Sequence, residues 1–99
     1  MEVELVYFEG CPNWQLAHAR LLGALAALGR ADVPVRLHLA RDPAEAEAAG
    51  MHGSPTILVD GRDLFPPDDD TPVWSCRLYS VEGGFDGAPS LDALLAALR

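Results

Sequence analysis

The chain has 99 residues, the size of one domain, and 49% of them are apolar, enough to bury a core without disulfides or metals. Seven Arg, no Lys and 15 acidic residues give a formal net charge of −8. That balance argues against nucleic acid, whose phosphates need a basic face, and disfavours anionic membrane surfaces.

The elements follow in chain order. Val3 to Phe8 is rich in β-branched and aromatic residues and is expected to be a strand buried on both faces. Glu9-Gly10-Cys11-Pro12 ends it. Trp14, Ala17, His18, Leu21, Leu25 and Leu28 then recur at helical spacing, which predicts a helix from Pro12 to Leu28 with Gly29 as its stop. Val33, Val35, Leu37 and Leu39 alternate with Pro34, Arg36, His38 and Ala40, the pattern of an edge strand with one wet face. Asp42 caps a short helix from Pro43 that stops at Gly50. Pro55 to Asp60 is a second apolar strand, and Asp60-Gly61 signals a hairpin with Arg62 to Phe65 as the return. Pro66 to Pro72 is an acidic, proline-rich loop, with Asp68-Asp69-Asp70 read as a solvated turn rather than a cation site. Val73 to Ser80 is either a strand or an irregular apolar segment, and Gly83 to Gly87 is expected to be loop. Ser90 caps a last helix with Leu91, Leu94, Leu95 and Leu98 on its apolar side. Strands alternating with helices imply parallel pairs, and the hairpin adds an antiparallel strand. The expectation is a single α/β domain over residues 1–99, a mixed sheet of four to five strands with helices on both faces.

No stretch approaches the roughly 18 apolar residues of a membrane span. The opening Met1-Glu2-Val3-Glu4 lacks the basic start of a signal peptide, so the chain is expected in the cytoplasm, with no membrane contact. In that reducing compartment its two cysteines are either reactive or buried apolar residues, not a structural staple.

Cys11 stands between a buried strand and the start of the longest expected helix. Unpaired N–H groups and the helix dipole favour an anion there, and a thiolate is both nucleophile and soft-metal ligand. The plain alternative is a small buried side chain.

Tyr7-Phe8-Glu9-Gly10-Cys11-Pro12-Asn13-Trp14, then Gly53-Ser54-Pro55-Thr56 and Val59-Asp60-Gly61, resemble in order and spacing the thioredoxin superfamily. In that family a strand leads to a cysteine at a helix start, and a later Ser/Thr/Val-Pro begins another strand. The resemblance covers about Val3 to Phe65 and the last helix. It implies a thioredoxin-like fold, a cis Ser54–Pro55 bond facing Cys11, and thiol-disulfide oxidoreductase chemistry with no cofactor. It implies partners that carry a thiol or disulfide, either protein or small molecule. The family's second cysteine is replaced by Trp14, so dithiol exchange within one helical turn is excluded.

Three readings remain open. In one, Cys76 is the partner thiol that resolves a mixed disulfide at Cys11, and Arg77 adds positive potential; otherwise Cys76 packs in the core between Trp74 and Leu78. In the second, Cys11 acts alone on a small thiol, as in monothiol glutaredoxins, with Arg62 and Arg77 as the central basic residues. In the third, two thiolates bind a soft metal or organomercurial, as in the thioredoxin-like part of alkylmercury lyases. Trp14 stands where those lyases carry an acid, and Glu9 is the only acid close by. A binding module without turnover is the contrasting class. Pro12, Trp14, Ser54, Pro55 and Arg77 are the expected substrate-binding residues. His18 is read as a core or rim histidine, His38 as surface, and His52 as either a proton acceptor for Cys11 or a solvated loop residue. Two distant cysteines and three scattered histidines make no zinc signature. The oligomeric state is open.

Overall fold

The computed structural model describes residues 1–69 and 71–99. Its first strand, β1 (Val3–Tyr7), alternates between two apolar layers, as the two-residue period of a strand requires. Val3 and Leu5 enter one layer and Val6 the other. On one side β2 (Val35–Leu39) runs parallel to β1, with Leu5 opposite Leu37. On the other, β4 (Thr56–Val59) runs antiparallel, with Leu5 opposite Ile57. The Asp60-Gly61 turn returns the chain as β5 (Arg62–Asp63). The result is a mixed four-stranded sheet in the order β2-β1-β4-β5.

Helices cover both faces. The first layer packs α1 (Trp14–Ala27) and α3 (Leu91–Leu98) on the sheet, burying Ala17, Leu21, Ala24, Leu25, Leu94 and Leu98 against Val3, Leu5 and Ile57. The second holds Ala46 of α2 (Pro43–Ala49) with Val6, Ala40, Met51 and Leu58. Asp42 accepts the Glu45 N–H at 2.8 Å, and Ser90 accepts the Ala93 N–H at 3.1 Å, so both short helices are capped where their sequences predicted. No helix among the described residues is long and apolar enough to cross a membrane.

Two smaller ladders flank the sheet. β3 (His52–Ser54) pairs in parallel with β6 (Val73–Cys76), and β7 (Tyr79–Val81) forms a hairpin with β8 (Gly84–Asp86). The ambiguous Val73 to Ser80 segment is thus two short strands interrupted at Arg77 and Leu78. The expected Gly83 to Gly87 loop is corrected: its glycines mark a tight turn at Glu82-Gly83, after which the chain pairs backwards. The return strand is shorter than expected, because the Phe65 N–H donates to Asp63 Oδ1 at 2.8 Å and bends the chain out of the ladder.

The edge strand departs from its alternation. Val35 packs on the first layer, but Leu37 and Leu39 are 44% and 36% exposed. That cover does not extend along β2, and His38, at the surface as expected with its side chain 40% exposed, bonds Glu4 on β1 (Nδ1–Oε2 2.8 Å).

Candidate thiol site

The chain leaves β1 through a turn in which the Cys11 N–H donates to the Phe8 carbonyl (3.3 Å). Gly10 sits at φ +88°, a left-handed position that the third residue of such a turn requires and that glycine adopts without steric cost. Helix α1 then begins at Trp14 with Asn13 as its N-cap, two residues later than the expected start at Pro12. Pro12 therefore lies in the exposed approach to the helix and not in its first turn, and Cys11 stands three residues ahead of the first helical residue. The Cys11 residue is 5% exposed. Trp14 anchors the helix: its ring stacks on Tyr7 at 4.2 Å and packs against the first core layer. His18 is half-buried beside it, 6.4 Å ring to ring.

The second half of the site is the turn at Ser54 and Pro55, both buried, joined by a cis peptide bond. Ser54 Oγ accepts the Phe8 N–H at 3.2 Å, so the residue that closes the Cys11 turn through its carbonyl is tied to Ser54 through its amide. Across the β3–β6 ladder Ser54 stands opposite Cys76. Neighbouring strands lie about 4.8 Å apart, so one strand spacing separates Cys76 from Ser54. Trp74 of β6 lies over Phe8 with ring centroids 5.0 Å apart. The two cysteine-bearing segments thus meet at Ser54. Both thiols are free, Cys11 buried and Cys76 exposed. The alternative placement of Cys76 in the core between Trp74 and Leu78 is corrected, since all of β6 is exposed and Leu78 is 70% exposed.

Both carbonyls of this turn, whose residues are expected to bind substrate, accept hydrogen bonds from the chain itself. The Ser54 carbonyl accepts the Arg77 N–H at 3.0 Å, and the Pro55 carbonyl accepts the Tyr79 hydroxyl at 2.5 Å. Gly53, at φ +101°, permits the close approach: a Cβ there would stand 2.9 Å from the Arg77 Cβ. Residues 73–79 therefore form a strap over Ser54 and Pro55.

Under the strap lies a buried polar network. Asp63 Oδ2 is 2.7 Å from both His52 Nδ1 and Arg77 Nη1, with side chains 3%, 9% and 10% exposed respectively. Arg77 Nη2 also donates to the Phe65 carbonyl, and its guanidinium lies 4.6 Å above the Tyr79 ring. Thr56 Oγ1 donates to the Gly53 carbonyl at 2.6 Å and accepts the His52 N–H at 3.0 Å. The guanidinium of Arg77 is thus bound to Asp63, and the His52 ring is held by the same carboxylate. Burial pushes the Tyr79 phenol well above its ordinary range; the nearby charge of Arg77 opposes this, and those of Asp63 and Cys11 add to it.

Asp63 and Tyr79 escape sequence reasoning. Tyr79 is visible as an aromatic in an apolar segment, but no local pattern marks Asp63, 11 residues beyond His52, as its ion partner's anchor. On its outer side the network borders a cleft of about 610 Å³ lined by His52, Phe65, Arg77, Leu78 and Tyr79 among others. In the acidic loop, Asp69 accepts from the Thr71 hydroxyl and N–H, which hold its carboxyl below the usual value; Asp70 lies outside the described residues. No group of three or more His, Cys, Asp or Glu among the described residues is placed to hold a metal ion. Neither family models, nor curated proteins, nor solved structures give a match to this chain.

Proposed function

We propose that this chain is a thioredoxin-like, thiol-dependent redox protein whose working groups are Cys11 and Cys76. The observation that carries the reading is the convergence of both cysteine segments on Ser54, one through Phe8 and the other through the β3–β6 ladder. Two free thiols on segments that are each hydrogen-bonded to the Ser54 segment form a two-electron couple. Reduction of a substrate disulfide proceeds by thiolate attack on one sulfur, release of the other as a thiolate, and attack of the second cysteine on the mixed disulfide. Both chain thiols are oxidised to one disulfide, losing two electrons and two protons, and the substrate gains two thiols. The Phe8 carbonyl holds the Cys11 turn, and the Arg77–Asp63 pair fixes the strap that bears Cys76. A reducing cytoplasm suits this chemistry, because it returns the couple to thiols.

The test is direct. The reduced protein is treated with hydroxyethyl disulfide, digested without reductant and mapped by mass spectrometry. A Cys11–Cys76 linked peptide is expected, lost in both Cys11→Ser and Cys76→Ser. Two thiols that stay separately alkylatable after complete reaction would refute the couple.

A further inference from the structure

We infer that Cys76, not Cys11, is the thiol that meets a disulfide carried on a protein, and that Cys11 is the resolving thiol. The inference rests on the Cys11–Cys76 couple proposed above and assigns the order in which its members act.

Three observations set that order. The first is access. Attack on a disulfide needs the sulfur to approach along the S–S axis, past the carbons attached on either side. Cys11 is 5% exposed, in a turn tied down by the Phe8 carbonyl, whereas Cys76 lies on a strand exposed at all four residues. The second is cover. A partner laid on Ser54 and Pro55 would find both carbonyls taken, one by the Arg77 N–H and the other by the Tyr79 hydroxyl. The strap that takes them carries Cys76 on its exposed surface, so a large substrate meets this thiol without displacing anything. The third is anchorage. The strap is held from beneath by the Asp63–Arg77 ion pair, buried on both sides, so the docked position is the resting one.

The steps balance. The Cys76 thiolate attacks one sulfur of the protein disulfide, forming a Cys76 mixed disulfide and releasing the other sulfur as a thiolate. The Cys11 thiolate then attacks the Cys76 sulfur from the buried side, forming the Cys11–Cys76 disulfide and releasing the second substrate thiol. The substrate disulfide is the oxidant, and no other reagent enters. The substrate class follows: disulfides borne on polypeptides, too bulky to reach Cys11 directly.

The experiment uses the full chain with insulin as the protein disulfide and hydroxyethyl disulfide as the small one. Cys11→Ser is expected to accumulate an insulin adduct on Cys76, visible on non-reducing gels and by mass. Cys76→Ser should trap none and reduce insulin at least 10-fold more slowly than the parent chain. In the unsubstituted protein, limiting iodoacetamide should alkylate Cys76 at least 10-fold faster than Cys11, a readout independent of either variant. An insulin adduct trapped on Cys11 in Cys76→Ser, or no adduct in either variant while hydroxyethyl disulfide still yields the internal disulfide, overturns the assigned order and leaves the couple standing. Failure to form the internal disulfide with the small reagent overturns the couple, and the order with it.

Discussion

Replacing Arg77 by Met tests whether the polar network holds the strap. The substitution keeps an unbranched side chain of similar reach and removes the guanidinium. Asp63 then keeps a buried carboxylate, 3% exposed, with His52 and the Phe65 N–H but without its arginine. Removing one partner of a buried ion pair costs about 3–5 kcal/mol, because the other charge is left uncompensated away from water. A domain of this size has about 5–15 kcal/mol of total stability, so the loss is a large share of it. At about 4–8 °C per kcal/mol, the melting temperature should fall by at least about 12 °C. Urea unfolding followed by Trp fluorescence measures the same quantity, and Trp74 on β6 reports the strap directly. The double variant Asp63→Leu, Arg77→Met should recover only part of the loss: it removes the uncompensated charge but also withdraws the acceptor of the His52 ring and the Phe65 N–H. A loss below about 1 kcal/mol in Arg77→Met, the range of a solvent-screened surface pair, would show that the network does not secure the strap.

Tyr79 gives a pH prediction. Its folded-state ionisation lies above the unfolded value near 10, so the folded form holds the proton longer than the unfolded chain does. Stability from this group is full below pH 10 and falls by up to about 1.4 kcal/mol per pH unit above it; urea midpoints measured from pH 9 to 11 should show that slope, and Tyr79→Phe should lose it. Gly53→Ala places a Cβ 2.9 Å from the Arg77 Cβ at φ +101°, and should cost at least about 2 kcal/mol in urea unfolding while slowing formation of the Cys11–Cys76 disulfide. Ser90→Ala removes the acceptor of the Ala93 N–H and should cost about 1 kcal/mol by the same unfolding measurement, without changing thiol reactivity.

Much of the fold was legible because its signals are local. The β-branched run of β1, the 3.6-residue stripe of Ala17, Leu21 and Leu25, the capping residues Asp42 and Ser90, and the Asp60-Gly61 turn each act over a few residues. Long-range features were not. The parallel pairing of His52–Ser54 with Val73–Cys76 joins segments about twenty residues apart, and nothing in either reveals the other. The exposure of Leu37 and Leu39 depends on which neighbours cover β2, a property no alternation encodes. For the site, Cys11 stands out from its place between a strand and a helix, and Ser54 only from the resemblance of its Ser-Pro turn. The capture of the Ser54 and Pro55 carbonyls by Arg77 and Tyr79 required the tertiary structure, as did the ion pair linking Arg77 to Asp63.

The outer margin of β2 has one more consequence. It is an edge strand that presents Leu37 and Leu39 to water, the arrangement that invites lateral zippering between molecules. At neutral pH the net charge of −8 opposes such contact by mutual repulsion. Near the isoelectric point of about 4.5 that repulsion vanishes while the apolar margin persists, so acidification should raise light scattering before the domain itself unfolds.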